Sequence, residues 1–219
     1  MKITSISAVI PVKFDSTRCP KKNYRKFADS SLIDICIKKL QSLDFIDEII
    51  ISIDSEEIVP YLKQYTDVKI VHRDKELRDP LIPMNRVYKH LAEICSNDLI
   101  LYTSCTTPLL KVEYYRKGYQ KWAGRNFVGS VHSATRVSDF LFKDGLPLNF
   151  EKRKFPRSQD LPEIFKLVYG FSFIQKSDFL KGSSLSDNHG SFLEISFPHD
   201  LDIDTEIDFN IAEILYGRV

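Results

Sequence analysis

The sequence predicts an α/β protein built on a doubly wound, mostly parallel β-sheet. Over the first 134 residues, short apolar runs typical of buried strands alternate with segments of helical periodicity. This alternation is typical of a parallel sheet covered by helices. The 219 residues, 43% of them hydrophobic, suffice for one domain with a sizeable core. We therefore expect a single domain over residues 1–219, with a small protruding arm.

The predicted elements follow one another along the chain. Strands are expected at 5–12, 48–54, 68–72, 99–104 and 127–134, and again at 170–174 and 192–197. A first helix is expected after Ser31, which forms a capping box with Asp34 ahead of apolar residues at i, i+3, i+4, i+7 spacing. The same periodicity predicts helices over 85–95 and about 112–122.

The segment after Arg136 predicts an arm that leaves the sheet. Its large apolar side chains are Phe140, Phe142, Leu146, Leu148 and Phe150. Gly145 and Pro147 interrupt this series, and a basic run follows at 152–154. Apolar side chains on a short segment outside the sheet need a second surface to bury them. We therefore expect 137–154 to form a hairpin arm that packs against the other subunit of a homodimer. A long surface loop is the alternative, although loops beyond ~12–15 residues are uncommon without a role.

Composition narrows the possible partners and locations. Lys and Arg total 31 against 30 Asp and Glu, a formal charge of +1, so no overall field favours nucleic acid or an anionic membrane. The cysteines, Cys19, Cys36, Cys95 and Cys105, have no CxxC spacing, which argues against zinc and for reduced thiols. No run approaches the ~18 apolar residues of a membrane span. We expect a cytoplasmic protein that binds neither nucleic acid nor membrane.

An acidic segment near the end of the chain predicts a metal site. In an extended strand, Asp200, Asp202 and Asp204 would share one face while Leu201 and Ile203 point into the core. Two carboxylates beside a phosphate site are sufficient protein ligands for Mg²⁺, which keeps waters that substrate phosphates replace.

A helix is expected directly after this segment. Thr205 and Asp208 read as a capping box ahead of an apolar periodic run that begins at Phe209. A solvated strand end, whose acids only favour the helix N-terminus, explains the acidic pattern equally well.

The loop after the first strand is the second candidate site, because open α/β sheets bind ligands beyond the carboxyl ends of their strands. Four cations, Lys13, Arg18, Lys21 and Lys22, lie within ten residues and have hydroxyl groups between them. They could form a triphosphate cradle or simply a solvated basic loop. Neither G-x-x-x-x-G-K-[ST] nor G-x-G-x-x-G is present, which argues against a P-loop kinase and a dinucleotide-binding dehydrogenase.

In order and spacing, these motifs resemble the acylneuraminate cytidylyltransferases, which activate sialic-type nine-carbon 2-keto acids as CMP sugars, and more distantly their ketodeoxyoctonate relatives. That family opens with I-P-A-R-G-G-S-K-R-I-P-G-K-N. The chain matches this loop without gaps at Ile10, Pro11, Ser16, Arg18, Pro20, Lys22 and Asn23. The family's S-T-D-S-E-E-I resembles residues 52–58, Q-P-T-S-P-L-R resembles 104–110, and R-x-Q-D-x-P resembles 157–162. The closing D-I-D-T-x-x-D-F is identical to 202–209.

The resemblance implies a Rossmann-like nucleotidyltransferase fold and a Mg²⁺-dependent transfer of CMP from CTP to the sugar acid, in which the anomeric C2 hydroxyl attacks the α-phosphate and pyrophosphate leaves. It implies nucleotide contacts from Pro11, Lys13, Ser16, Arg18, Lys22, Asn23, Ser104 and Thr106, and acceptor contacts from Arg157, Gln159 and Asp160. Arg18, Lys22, Asp202 and Asp204 would be the catalytic residues, the two aspartates holding Mg²⁺. The segment 137–165 would combine the arm, which reaches across a homodimer, with the sugar-side motif.

The chain departs from the family at several positions. Phe14 and Asp15 replace two glycines of the first loop, Thr17 replaces a lysine, and Ser104 replaces a glutamine. A ring and a carboxylate in that loop should restrict the backbone and repel a triphosphate. A catalytically degenerate homologue that acts as a binding or assembly subunit is therefore an alternative. A cytidylyltransferase for another acceptor, an octulosonate or a phosphorylated small molecule, is a further one.

Overall fold

The computed structural model describes residues 5–79, 81–182 and 190–218. The strands are β1 (Ile6–Val12), β2 (Ile46–Ile53), β3 (Val68–His72), β4 (Leu99–Thr103), β5 (Val131–Val137), β6 (Phe142–Lys143), β7 (Leu146–Pro147), β8 (Ile164–Gln175) and β9 (Ser191–Glu194). The α-helices are α1 (Leu32–Gln41), α2 (Val59–Leu62), α3 (Met84–Glu93), α4 (Val112–Ala123), α5 (Lys176–Gly182) and α6 (Glu206–Tyr216).

Seven of the strands form one sheet in the order β3-β2-β1-β4-β8-β5-β9. Strands β1, β2, β3 and β4 pair in parallel, and β9 pairs in parallel with β5. Only β8 runs the other way, since it pairs antiparallel with both β4 and β5. The predicted mostly parallel α/β fold is therefore confirmed, and the carboxyl ends of β1, β2, β4 and β5 lie along the same edge.

Apolar side chains cover both faces of this sheet because the central strands are buried on both sides. One layer joins Ile10 and Leu101 to residues of α1, α4 and α6, among them the buried Trp122. The other joins Val9 and Ile100 to α3 and α5. Successive residues of a strand thus serve opposite layers, as the pleat requires. No helix in the described parts of the chain is long and apolar enough to cross a membrane.

Four predicted strands differ from the structure. The strand expected at 170–174 is the last part of the longer β8, and the strand expected at 192–197 ends at Glu194. The strand expected at 127–134 begins only at Val131, because Asn126 and Phe127 have φ of 52° and 61° and form a turn. The extended strand expected for Asp200, Asp202 and Asp204 is wrong: Asp200 closes a turn, in which the Leu201 amide donates to the Pro198 carbonyl at 3.2 Å, and residues 201–204 belong to no strand. The Ile203 amide donates to the Thr106 carbonyl, just after β4, at 2.8 Å. The capping box of Thr205 and Asp208 is present at the start of α6.

The segment between β5 and β8 contains a small hairpin made of β6 and β7. Its two turn residues, Asp144 and Gly145, have φ of 53° and 77°, and positive φ at both central positions is what a type I′ hairpin turn requires. Phe140 stacks on Phe155 at 4.6 Å and meets the edge of Phe150 at 5.1 Å between ring centroids. The hairpin therefore has an aromatic cluster of its own.

Candidate active site

The carboxyl ends of β1 and β2 hold the basic loop in place. The Asn23 side-chain amide donates to the Lys13 carbonyl at 2.9 Å, and the Phe14 amide donates to Asp54 Oδ1 at 2.7 Å. The buried guanidinium of Arg73 donates to the carbonyls of Val12 and Ser52. Both ends of the loop are therefore fixed, the first by bonds to Val12 and Phe14 and the last by the bond between Asn23 and Lys13.

The acidic segment and the basic loop meet at this edge of the sheet. Arg18 Nη2 lies 2.9 Å from Asp204 Oδ1, and Lys22 Nζ lies 3.8 Å from the same oxygen. The Lys22 ammonium also donates to the Ile203 carbonyl. Arg18 and Asp204 are 186 positions apart in the sequence, so only the fold brings them together. Four predicted site residues, Arg18, Lys22, Asp202 and Asp204, are thereby assembled.

Asp202 is the more enclosed of the two aspartates. Burial raises the pKa of its carboxyl, and the nearby charge of Asp204 acts in the same direction, whereas a hydrogen bond from Thr106 and the charge of Lys22 oppose the rise. Its Oδ1 atom is buried and has no hydrogen-bond partner among the described residues. An enclosed oxygen that lacks a partner, next to a second carboxylate, is a donor set that suits a hard cation.

Asp200 differs from this pair in its hydrogen bonding. Its Oδ2 accepts a hydrogen bond from Thr135 Oγ1 at 2.9 Å, which ties that carboxylate to β5, although its Oδ1, like that of Asp202, is buried without a hydrogen-bond partner among the described residues. Within the described residues, no group of three or more His, Cys, Asp and Glu side chains could hold a metal ion. A cation bound by Asp202 and Asp204 would therefore take its remaining ligands from substrate and water.

The loop after β4 contributes hydroxyl groups beside the aspartates. Ser104 Oγ and Thr106 Oγ1 lie 2.8 Å apart, and the Thr106 amide donates to Ser104 Oγ at 3.3 Å. The Thr106 carbonyl also accepts a hydrogen bond from the Ile203 amide, and this bond fixes the turn after β4 to the acidic segment. The predicted nucleotide residues Ser104 and Thr106 thus lie at the site, hydrogen-bonded to one another.

The two residues that replace family glycines adopt ordinary backbone conformations. In this loop the positive φ belongs to Lys21, at 55°, the position where the family has its third glycine. Phe14 stacks on Tyr24 at 4.9 Å, and the Asp15 carboxylate accepts the amides of Ser16 at 2.8 Å and Lys21 at 3.3 Å. The backbone is therefore not strained at Phe14 or Asp15, and the remaining obstacle to an anion is the Asp15 charge.

Pro11 is the remaining predicted nucleotide residue of the first strand, and it pairs with Ser52 of β2 near the carboxyl end of β1. Lys13 and Ser16 follow it in the loop, and Lys13 is exposed. All three lie at the sheet edge that carries the aspartate pair.

The predicted acceptor residues divide into two groups. Arg157 forms a two-pronged ion pair with Asp160, with distances of 2.7 and 3.1 Å, around a 3₁₀ turn at Ser158–Asp160. Gln159 instead lines a cleft of about 200 Å³ beside the end of β5. Within the motif over 157–162, Arg157 and Asp160 therefore pair with each other, whereas Gln159 faces the cleft.

Arg25 is a residue near the site that sequence reasoning missed. Its guanidinium binds Glu206 at 2.9 and 2.6 Å, donates to the Pro20 carbonyl at 3.2 Å and lies 3.8 Å from the centre of the Phe209 ring. Arg25 therefore fastens the basic loop to the first turn of α6, directly after the aspartate pair. Its partner is 181 positions away, and no local pattern could have indicated it.

Comparison with known sequences identifies relatives over nearly the whole chain. A family model described as cytidylyltransferase matches residues 7–171. A Campylobacter jejuni protein named pseudaminic acid cytidylyltransferase is 27% identical over 220 residues, which cover 95% of this chain and 94% of that protein. A Campylobacter coli protein named post-translational flagellin modification protein B is 24% identical over 231 residues, 97% of this chain and 95% of that protein.

Solved structures share the fold at low sequence identity. A CMP:2-keto-3-deoxy-manno-octonic acid synthetase complexed with CTP has a TM-score of 0.73 at 11% identity, covering 98% of this chain and 99% of that one. A 4-diphosphocytidyl-2C-methyl-D-erythritol synthase from Anaerococcus prevotii also has a TM-score of 0.73, at 16% identity, covering 99% and 97%. These likenesses establish the nucleotidyltransferase fold.

Proposed function

Because the chain belongs to the cytidylyltransferase family, we propose that it transfers CMP from CTP to a sialic-type nine-carbon 2-keto sugar acid and releases pyrophosphate. Membership in the family makes the chain a nucleotidyltransferase. The relatives named pseudaminic acid cytidylyltransferase, 27% identical, favour pseudaminic acid as the acceptor.

The meeting of the basic loop with the aspartate pair is the observation that supports this proposal most strongly. Arg18 and Lys22 bring two cations to the edge where Asp202 and Asp204 lie, and the Arg18 side chain is 64% exposed. An exposed arginine whose ion pair is screened by water can exchange its carboxylate for a phosphate at low cost. Arg18 would therefore bind the triphosphate once it arrives, and Lys22, whose side chain is only 12% exposed, would add its positive charge beside it.

The aspartate pair fits Mg²⁺, the cofactor we propose. Asp202 supplies a buried oxygen without a partner, and Asp204 supplies an exposed carboxylate beside it. Bound there with CTP, the ion would offset the negative charge of the triphosphate around the α-phosphorus. Binding of the cation would also relieve the burial cost that raises the pKa of Asp202.

In this reaction the protein mainly positions the two substrates and neutralises charge. The acceptor's C2 hydroxyl oxygen forms a bond to the α-phosphorus, the bond from that phosphorus to the bridging oxygen breaks, and pyrophosphate leaves while the hydroxyl proton is lost to solvent or a base. Arg18 and Lys22 neutralise charge on the leaving group, and no covalent enzyme intermediate is required.

A catalytically degenerate binding subunit is the second candidate function. Asp15 favours it, because its carboxylate already accepts the amides of Ser16 and Lys21 that a phosphate could use. The retained cations and the aspartate pair favour the enzyme. Calorimetric titration with CTP separates the two, since the degenerate homologue should give no Mg²⁺-dependent heat.

A homodimer is part of the proposal. Phe142, Leu146, Leu148 and Phe155 of the hairpin segment are each more than half exposed, and a two-fold partner would bury them symmetrically. In the family that the chain resembles, the corresponding arm reaches toward the neighbouring sugar site.

Pyrophosphate release from CTP tests the proposed function. Pseudaminic acid, N-acetylneuraminic acid and a ketodeoxyoctonate should be compared as acceptors, with and without Mg²⁺, and with ATP in place of CTP as the nucleotide control. We expect release that needs Mg²⁺, prefers CTP and is fastest with a nine-carbon acid. Fastest pyrophosphate release with the octulosonate would show that the acceptor is an octulosonate and not a nine-carbon acid. Absence of release with all the sugar acids would refute the proposal that the chain is an active cytidylyltransferase.

A further inference from the structure

A cleft of about 200 Å³ lies at the carboxyl end of β5. It is lined by Arg136, Val137, Ser138, Ser158, Gln159 and Leu161. Its lining combines one guanidinium with two hydroxyl groups and an amide, so its chemistry suits an anion attached to a hydroxylated ligand.

Arg136 is the cation available in this cleft. It is exposed, and its side chain has neither a hydrogen-bond partner nor an ion-pair partner within the described parts of the chain. Arg157, which the family resemblance assigns to the acceptor, does not line the cleft, and both oxygens of Asp160 pair with it at 2.7 and 3.1 Å. The motif over 157–162 thus contributes Ser158, Gln159 and Leu161 to the cleft, while β5 contributes the charge of Arg136.

The position of Arg136 in the sheet places it on the side of the molecule where catalysis is proposed. Strands β4 and β5 both pair antiparallel with β8, so they run in the same direction. Arg136 is the sixth of the seven residues of β5 and lies at the edge where the loops after β1 and β4 begin. The hydroxyl of Thr135, the preceding residue, donates to Asp200, so the end of β5 adjoins the acidic segment, while the side chain of Arg136 extends from the opposite face of the strand.

We infer that Arg136 binds the carboxylate of the acceptor and acts as a specificity-determining residue, with Gln159 beside it. The inference rests on the proposed function and deepens it. In a 2-keto sugar acid the carboxylate is attached to C2, the carbon that carries the attacking hydroxyl. A guanidinium that holds the carboxylate therefore also orients the nucleophile, and it selects against sugars without an acid group.

Acceptor kinetics of Arg136→Gln test the inference. Loss of the hydrogen bonds between this guanidinium and the acceptor's carboxylate should lower kcat/KM for the acceptor by about 10- to 150-fold. KM for CTP should stay unchanged. The methyl ester of the acceptor supplies the decisive comparison. Wild type should prefer the acid strongly over the ester, and Arg136→Gln should treat the two nearly alike. Arg136→Lys should recover part of the preference, since it restores the charge without the bidentate geometry.

Arg116→Gln is the matched control, because it removes the same charge from α4, where Arg116 pairs with Asp44 at 3.3 Å. It should keep the wild-type preference for the acid. A full acid preference in Arg136→Gln, with its loss in Arg157→Gln, would assign the carboxylate to Arg157 and overturn the inference alone. Absence of wild-type turnover with every 2-keto sugar acid would overturn the proposed function and the inference with it.

Discussion

Replacement of Asp202 by Asn separates its role in metal binding from its role in folding. The change keeps the side-chain volume and removes the charge. Burial raises the pKa of Asp202, so the ionised carboxylate opposes folding at pH values above that pKa, and an amide does not carry this cost. We therefore expect Asp202→Asn to be at least as stable as wild type without ligands.

The ligand-bound protein should show the opposite order. CTP with Mg²⁺ at 100 times its dissociation constant stabilises wild type by about 2.7 kcal/mol. For a chain of this length that corresponds to a rise in Tm of about 5–11 °C. Mutation of a residue that only hydrogen-bonds to a metal-binding side chain typically lowers metal affinity by about 10–100-fold. Loss of a side chain that binds the metal directly should therefore lower it by at least about 100-fold. The same CTP and Mg²⁺ would then stabilise the variant by about 0.4 kcal/mol, or about 1–2 °C.

Thermal unfolding with and without CTP and Mg²⁺, together with initial rates of pyrophosphate release, measures both effects. Asp200→Asn is the control, because it makes the same substitution two residues away at a carboxylate that accepts from Thr135. Asp200→Asn should keep the ligand-induced rise in Tm. A wild-type rise and wild-type turnover in Asp202→Asn at low Mg²⁺ would refute the assignment of this aspartate.

Three further variants test other parts of the structure. Phe140→Ser with Phe142→Ser should convert dimers to monomers in light scattering, and wild-type monomers at micromolar concentration would contradict the arm interface. Asp15→Gly should tighten CTP binding in calorimetry because it frees two loop amides, and an unchanged affinity would exclude that competition. Arg25→Ala should lower Tm by about 2–8 °C, from about 1–2 kcal/mol for its partly exposed contacts, and reduce turnover. An unaltered Tm would show that this contact does not hold the loop.

The meeting of the two charged segments could be predicted from the sequence. Strand patterns placed the basic loop after β1, and parallel strands present their carboxyl ends at one edge. The motif order then placed Asp202 and Asp204 at the same site, and the structure brings Arg18 within 2.9 Å of Asp204. Here topology was enough, because both segments adjoin the same edge of the sheet.

The shape of the acidic segment could not be predicted in the same way. The alternation of Asp with Leu201 and Ile203 imitates strand periodicity, but a strand also needs a neighbour with free backbone groups. In the structure the segment is held to Thr106 by one backbone bond. By contrast, Asp144-Gly145 is a strong hairpin signal that was present in the sequence and indicates the β6–β7 turn.

Pairing between side chains was the least predictable feature of the site. The resemblance assigned Arg157 and Asp160 to the acceptor, whereas in the structure these two residues, three positions apart, pair with each other. The exposure of Arg136 beside Gln159 depends on how the segment before β8 returns to the end of β5. Such contacts are set by tertiary packing, which periodicity and motif spacing do not encode.

Identification of the reaction product tests the central claim most directly. Wild-type protein should be incubated with CTP, Mg²⁺ and pseudaminic acid, and the product analysed by mass spectrometry and ³¹P NMR. We predict a CMP sugar with a single phosphodiester phosphorus and one pyrophosphate released for each sugar consumed, over many turnovers. Recovery of unchanged CTP and acceptor, or release of orthophosphate in place of pyrophosphate, would contradict the assignment as a cytidylyltransferase for this acceptor.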